Sequence, residues 1–263
     1  YILSRSKINK EPIKASSKTA LERRRNSLIE YNNADKKILE KYFSNLSDGY
    51  FNKNVSKSLK WQASVILKNK QKELIVGCRA VFGNLIEIFI KVENSKGLFY
   101  KFTKVLDCSG LEVIDANIFT SIDNKFAANT FITKFSHHDR KFKKSDLKEL
   151  KKRIEKNFTN FQKIKNTQKK SGKKSSFEKI INISDSIYKD KKRNLITIET
   201  SDSQGLLVRI AKVFFDNNVS IFSARINTLG DRIEDTFEVE DHNKTLLDKS
   251  KVKKIVATLK KVV

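Results

Sequence analysis

The chain contains no methionine, a single proline and a single tryptophan. A complete translation product carries an initiator and, by ordinary composition, several internal methionines, so this sequence is expected to begin inside a longer reading frame. Cysteine is also scarce. Cys78 and Cys108 stand in separate apolar segments without C-x-x-C spacing, which excludes a disulfide framework or a zinc site and leaves two reduced core thiols. No run of about 18 apolar residues occurs, and the N-terminus lacks a charged stretch followed by an apolar core, so neither a membrane helix nor a signal peptide is expected. The default expectation is a cytoplasmic protein with no membrane partner.

What is abundant is positive charge. The formal net charge is +25, from 55 Lys and Arg against 30 Asp and Glu, and clustered cations of that number would release counterions from a phosphate backbone. Here lysine outnumbers arginine several-fold, asparagine and isoleucine are common, and the charge is spread along the chain. That is the pattern of A/T-rich codons drifting into tolerant surface positions. A basic nucleic-acid-binding module, using the N-terminal helices and the stretch 163–174, is the alternative reading. The strands argue against it, since they lack the interleaved basic and aromatic residues of an RNA-binding sheet face.

At roughly 100 to 200 residues per domain, 263 residues hold two compact domains and connecting material. Residues 1–70 read as a helical connector, with a basic helix around Leu21–Asn32, a second helix carrying Leu39, Tyr42, Phe43 and Leu46, a break at Gly49, and a third helix capped by Asn54 or Ser56. From residue 73 the period changes. Leu74–Val81 is β-rich, Ile86, Ile88, Ile90 and Val92 alternate strictly, and Leu98, Phe99, Phe102, Val105 and Leu106 form a helical stripe. Strands over Leu111–Thr120 and Lys125–Thr133 follow, and then a helix capped by Ser145. This first module occupies 73–158. Residues 159–176 are a basic, polar linker, and a second module fills 177–263.

The second module repeats the first. A shift of 108 residues carries Ile88 onto Ile196, Ile90 onto Ile198, Gly97-Leu98 onto Gly205-Leu206, Ala116 onto Ala224 and Thr120 onto Thr228; a hairpin two residues shorter then brings Thr130-Phe131 onto Thr236-Phe237. Register kept across strand, turn, helix and strand marks duplication of one fold unit, and the period is too long for a solenoid.

The stretch Asp202-x-x-Gly205-Leu206-Leu207, followed by Ala224-Arg225-Ile226-Asn227-Thr228-Leu229-Gly230-Asp231, resembles the ACT domains that end bacterial bifunctional PII uridylyltransferase/uridylyl-removing enzymes. Glu87-Ile88-Phe89-Ile90, Leu98-Phe99 and Asp115-Ala116-Asn117-Ile118 resemble the other ACT domain of that family. The resemblance implies an α+β chain with two ferredoxin-like ACT modules. It also implies a glutamine-sensing regulatory segment of an enzyme that uridylylates the PII signalling protein and removes the UMP. Catalytic domains are expected elsewhere, with Mg2+ as their implied cofactor, and no cofactor is expected in this chain. No catalytic or metal site is expected either, for the sequence has no Gly-Ser dipeptide to open a nucleotidyltransferase motif. His138-Asp139 lacks the separate upstream His of an HD hydrolase, the only other histidines being the adjacent His137 and the distant His242.

For a ligand, the turn Asp202–Gly205 leads straight into a helix, whose first amides can hold a carboxylate while Asp202 pairs with an ammonium group. Asp202 capping that helix is the equally open alternative. Gln204, Gly205, Leu206 and Leu207 belong to this candidate site, and the resemblance implies that Asn227 of a paired ACT module, within the chain or between chains, closes it. The first module offers Asn94, Lys96, Gly97 and Leu98 instead; Asn94 supplies no negative charge, which favours the second module. Because the usual closing strand has no room before Val263, each module is expected to be permuted to ββαββα. Leu74–Val81 and Ile180–Ile187 would then hairpin onto the first strands and cover their open edges. The dispersed charge predicts that oligonucleotide binding, measured by fluorescence anisotropy, is weak at low salt and vanishes near physiological salt. Submicromolar, sequence-dependent binding at that salt would contradict it.

Overall fold

The computed structural model describes residues 13–28, 30–136, 143–164, 182–188, 193–201, 203, 205–229 and 232–263. The chain divides into two compact units, residues 1–70 and 71–263.

The first unit is helical: α1 (Ile13–Asn26), α2 (Asn33–Phe43), α3 (Asp48–Lys53) and α4 (Ser56–Lys68). α1 ends earlier than its apolar pattern predicts. Asn32 starts α2, its Oδ1 accepting from the Asp35 amide at 2.9 Å. Gly49 lies within the short helix α3 instead of breaking the chain. Neither Asn54 nor Ser56 caps α4, which begins after Val55 with no side-chain cap. Asn54 is turned inward, where its Nδ2 donates to the Tyr50 carbonyl at 2.8 Å and its Oδ1 accepts from Gln62 at 3.1 Å. Gln62 also donates to Ser58 Oγ and accepts from the Tyr50 hydroxyl. Burying these groups costs little because each finds a partner. Around them Leu39, Phe43, Phe51, Leu59 and Ala63 are fully or almost fully buried.

The second unit holds two sheets of the same build. In the first module, β1 (Ile75–Ala80), β2 (Ile86–Glu93), α5 (Leu98–Cys108), β3 (Leu111–Asn117), β4 (Phe126–Phe135) and α6 (Lys144–Thr159) follow in that order, and the sheet runs β1-β2-β4-β3, antiparallel throughout. In the second, β5 (Asn182–Tyr188), β6 (Arg193–Ser201), α7 (Leu206–Asp216), β7 (Val219–Arg225), the two-residue β8 (Thr228–Leu229), β9 (Arg232–Asp241) and α8 (Lys249–Val262) give the order β5-β6-β9-β7, with β8 on β9. Each module is thus α+β and ferredoxin-like, with the element order ββαββα. The upstream run pairs with the first long strand in both: Val76 opposes Ile90, and Ile183 opposes Ile198. Arg79 and Glu87, opposite each other in the β1–β2 register, form an ion pair of 2.5 Å.

The duplication extends to irregularities. β3 bulges between Val113 and Asp115, and β7 bulges between Ile221 and Ser223, positions related by the repeat shift. The Asp123-Asn124 turn forms as expected, Asn124 taking φ 59° while Asp123 Oδ1 accepts from Ser121 and from the Lys125 amide. α6 is capped differently from expectation: the Asp146 carboxylate, not Ser145, accepts from the Lys143 amide at 2.8 Å. The stretch expected as linker opens on a helical turn, Phe161–Lys163, whose Phe161 ring meets Tyr100 edge-on at 5.9 Å. Residues 165–181 lie outside the described residues, as do His137, His138 and Asp139. Cys78 packs against the core, and burial pushes its thiol up to about 12.

One hydrophobic core runs through both modules. α5 lies against α7, and β3 beside β7. The buried Phe237 ring on β9 sits 5.2 Å from Phe214 on α7 and 6.0 Å from Phe99 on α5, so it belongs to both halves. Truncating it empties the junction, and Phe237→Ala should cost about 3–5 kcal/mol. The urea midpoint of the whole chain is the readout, and a loss below about 1 kcal/mol would contradict a shared core.

Candidate functional site

α7 starts from Gly205, whose φ of 70° lies in the left-handed region that a side chain would strain. The Leu206 amide is taken by the Ser203 carbonyl at 3.0 Å, and the remaining amides of the first turn have no acceptor within the helix. Arg209, one turn further on, donates through Nε to the Val262 carbonyl at 2.9 Å and through Nη2 to Ser203 Oγ at 2.7 Å. It fastens the α7 entry to the end of α8. Among the described residues, a Cβ placed on Gly205 would meet only the Arg209 guanidinium, at 3.8 Å, within 4 Å.

This helix start borders a cavity of about 60 Å³ between the two modules. That space exceeds what one water needs several-fold. Gly205, Leu206, Leu207 and Val208 form one wall. The facing wall belongs to the first module, Thr103 and Asp107 from α5 and Leu111–Val113 from β3, while Ile226, Ile233 and Asp235 line it from the second sheet.

The polar groups there are unequal. Asp235 is buried, and its Oδ1 accepts from the Asn227 amide at 3.2 Å. Glu112 is paired with Lys134 at 2.9 Å. Asp107 is half-buried, and among the described residues no hydrogen bond or ion pair reaches its carboxylate. Burial raises its pKa from the ordinary carboxylate value, against a smaller lowering by the Arg209 charge. The cavity therefore holds a carboxylate that its own surroundings leave incompletely satisfied.

Of the residues proposed from sequence, Gly205, Leu206 and Leu207 come together at this cavity. Asn227 does not line it; its amide donates to Asp235, which does. Asp202 and Gln204 lie outside the described residues. The first-module set is arranged otherwise. Asn94 Nδ2 donates to the Asn124 carbonyl at 3.1 Å, Lys96 is exposed, and Gly97, at φ 77° before the buried Leu98, faces the ring of Phe215. Asp107 was absent from the sequence-derived set, because nothing in its local spacing marks it. No three His, Cys, Asp or Glu side chains converge as a metal site among the described residues. No described helix is long and apolar enough to cross a membrane.

No family model matches the chain. Among curated proteins, it is 27% identical over 226 residues to a bifunctional uridylyltransferase/uridylyl-removing enzyme of Psychrobacter sp. (strain PRwf-1), covering 81% of this chain and 25% of that protein. The resemblance is to the uridylyltransferase/uridylyl-removing enzymes. Enzymes of that name from Psychrobacter cryohalolentis and Acinetobacter baumannii match at 26% and 28% identity, over 90% and 84% of this chain. The chain spans about a quarter of the length of these uridylyltransferase/uridylyl-removing relatives. A crystal structure of an unknown protein from Galdieria sulphuraria aligns with 68% of this chain and 91% of its own at a TM-score of 0.24 and 13% identity, too slight to bear on the fold.

The raised pKa of Asp107 has a measurable consequence. An acid whose folded pKa is raised opposes folding once pH passes its unfolded value, near 3.9, and opposes it fully above the folded value. Asp107→Asn should therefore raise the melting temperature at pH 7, and the gain should shrink as pH falls toward about 4. Thermal denaturation across that range is the check, and a lower melting temperature for the variant at pH 7 would contradict it.

Proposed function

We propose that this chain is a glutamine-sensing regulatory segment of a bifunctional PII uridylyltransferase/uridylyl-removing enzyme of the cytoplasm, built from two ACT modules that pair within the chain. The observation that carries the reading is the cavity walled by the α7 start on one side and by α5 and β3 of the other module on the other. A ligand seated there touches both modules, so its binding energy depends on how they are set against each other, which is what a sensor requires. The resemblance to uridylyltransferase/uridylyl-removing enzymes over 81–90% of the chain supports the parent activity. In that parent the nucleotidyl transfer and hydrolysis, with Mg2+, belong to other segments, and PII is the protein acted upon.

Amides at the α7 start that have no acceptor within the helix suit the ligand's carboxylate, and Asp202 with Gln204 flank that start in sequence. Residues 1–70 act as the connector to the rest of the enzyme in this reading. The nucleic-acid alternative gains nothing from the sheet: the face of the second sheet turned from the helices carries Glu199, Glu238 and Glu240 beside an Arg193–Phe222 stack. Glutamine at millimolar concentration should raise the melting temperature of the chain, glutamate should do so less, and Asp202→Ala should abolish the difference. Equal shifts for wild type and variant would remove Asp202 from the site, and no shift with glutamine would overturn the reading.

A further inference from the structure

α5 and α7 pack antiparallel. Gly97 at the start of α5 meets Phe215 in the last turn of α7, and Tyr100 stacks on the same ring at 5.6 Å and 22°. Gly205 at the start of α7 shares its cavity with Asp107 in the last turn of α5. The shift of 108 residues that carries Gly97 onto Gly205 also carries Asp107 onto Phe215. The junction is therefore pseudo-twofold, with two equivalent positions that differ in the side chain each receives from the opposite helix.

The difference decides which position is open. A Cβ built on Gly97 would lie 2.5 Å from the Phe215 ring, so that ring already occupies the space above the glycine. At Gly205 the corresponding space is the cavity, and the residue bordering it is a carboxylate. We propose that Asp107 recognises the ammonium group of the ligand bound at Gly205, and that Phe215 closes the equivalent position at Gly97, so that one chain takes one amino-acid ligand. This rests on the amino-acid-sensing reading above.

The charges around the cavity agree with it. Glu112 is satisfied by Lys134 and Asp235 by the Asn227 amide, while Arg209 is held by the Val262 carbonyl and Ser203. Asp107 is left to meet a cation, and an ammonium group brings three donors to it. Phe215 cannot play that part at the other position, since its ring carries no acceptor for an ammonium donor and is itself committed to Tyr100.

Isothermal titration of the whole chain with glutamine, and with its deaminated analogue bearing hydrogen in place of the ammonium group, tests this. One glutamine per chain is expected. Asp107→Asn, isosteric and uncharged, should weaken glutamine about tenfold or more while leaving the weaker binding of the deaminated analogue unchanged. A merely structural role would weaken both ligands alike and would overturn the assignment. Phe215→Ala, at the opposite end of the junction, should leave the affinity of the Gly205 cavity for glutamine within about twofold. Two glutamines per wild-type chain, or undiminished glutamine binding to Asp107→Asn, would also overturn it, and in either case the sensing reading survives. Absence of glutamine binding to wild type would overturn both.

Discussion

The packing of α5 against α7 is the constraint on which the rest of the second unit depends. Each helix presents an apolar stripe too wide for its own sheet alone, and Phe99, Phe214 and Phe237 close the gap in one aromatic cluster. Burying a ring of this kind contributes about 1.5–3 kcal/mol, and Phe237 contributes to both modules at once. The cavity exists because these two helices run antiparallel. The start of α7 is set opposite the end of α5, and β3 is drawn alongside. Separating the modules would dissolve the site without changing any residue in it.

Duplication makes a symmetric frame, and small departures from symmetry give it direction. The hydrogen bond that fixes the chain after β3 runs from the Phe119 amide to Asn129, and its counterpart after β7 runs from the Asn227 amide to Asp235. The geometry is retained while a neutral amide is exchanged for a carboxylate. The amide carries a cost, since Asn129 Nδ2 is buried without a partner among the described residues. The exchange of Asp107 for Phe215 works the same way at larger scale: one end of the junction keeps a polar opening and the other is filled by a stacked ring. Two copies of a fold unit thereby differ at equivalent positions of their junction while keeping the same strand order.

Asp107 also illustrates why such sites resist optimisation for stability. Its carboxylate is half-buried opposite a helix start, with Arg209 near enough to lower its pKa yet hydrogen-bonded elsewhere. A half-buried carboxylate bordering a cavity between two modules is a physical reason to look for a cationic group there.

Much of the architecture was already written in the sequence, because hydrophobic period is a local property. Alternation at Ile86, Ile88 and Ile90, the stripe from Leu98 to Leu106 and their recurrence 108 residues later marked the strands and helices of two duplicated α+β modules, while the expected ββαββα order rested on the family resemblance. Caps were less legible. Asn54 turns inward to Gln62 instead of capping α4, and α6 begins early enough to place Ser145 inside its first turn, where Asp146 accepts from the Lys143 amide. The Gly205–Leu207 turn could be marked as a candidate site from its residues alone. Its opposite wall could not, since Asp107 is an unremarkable acid at the end of an amphipathic helix until tertiary packing chooses which helix faces it and in which direction. That choice belongs to the shape of two apolar surfaces meeting, a property no single stretch of sequence possesses.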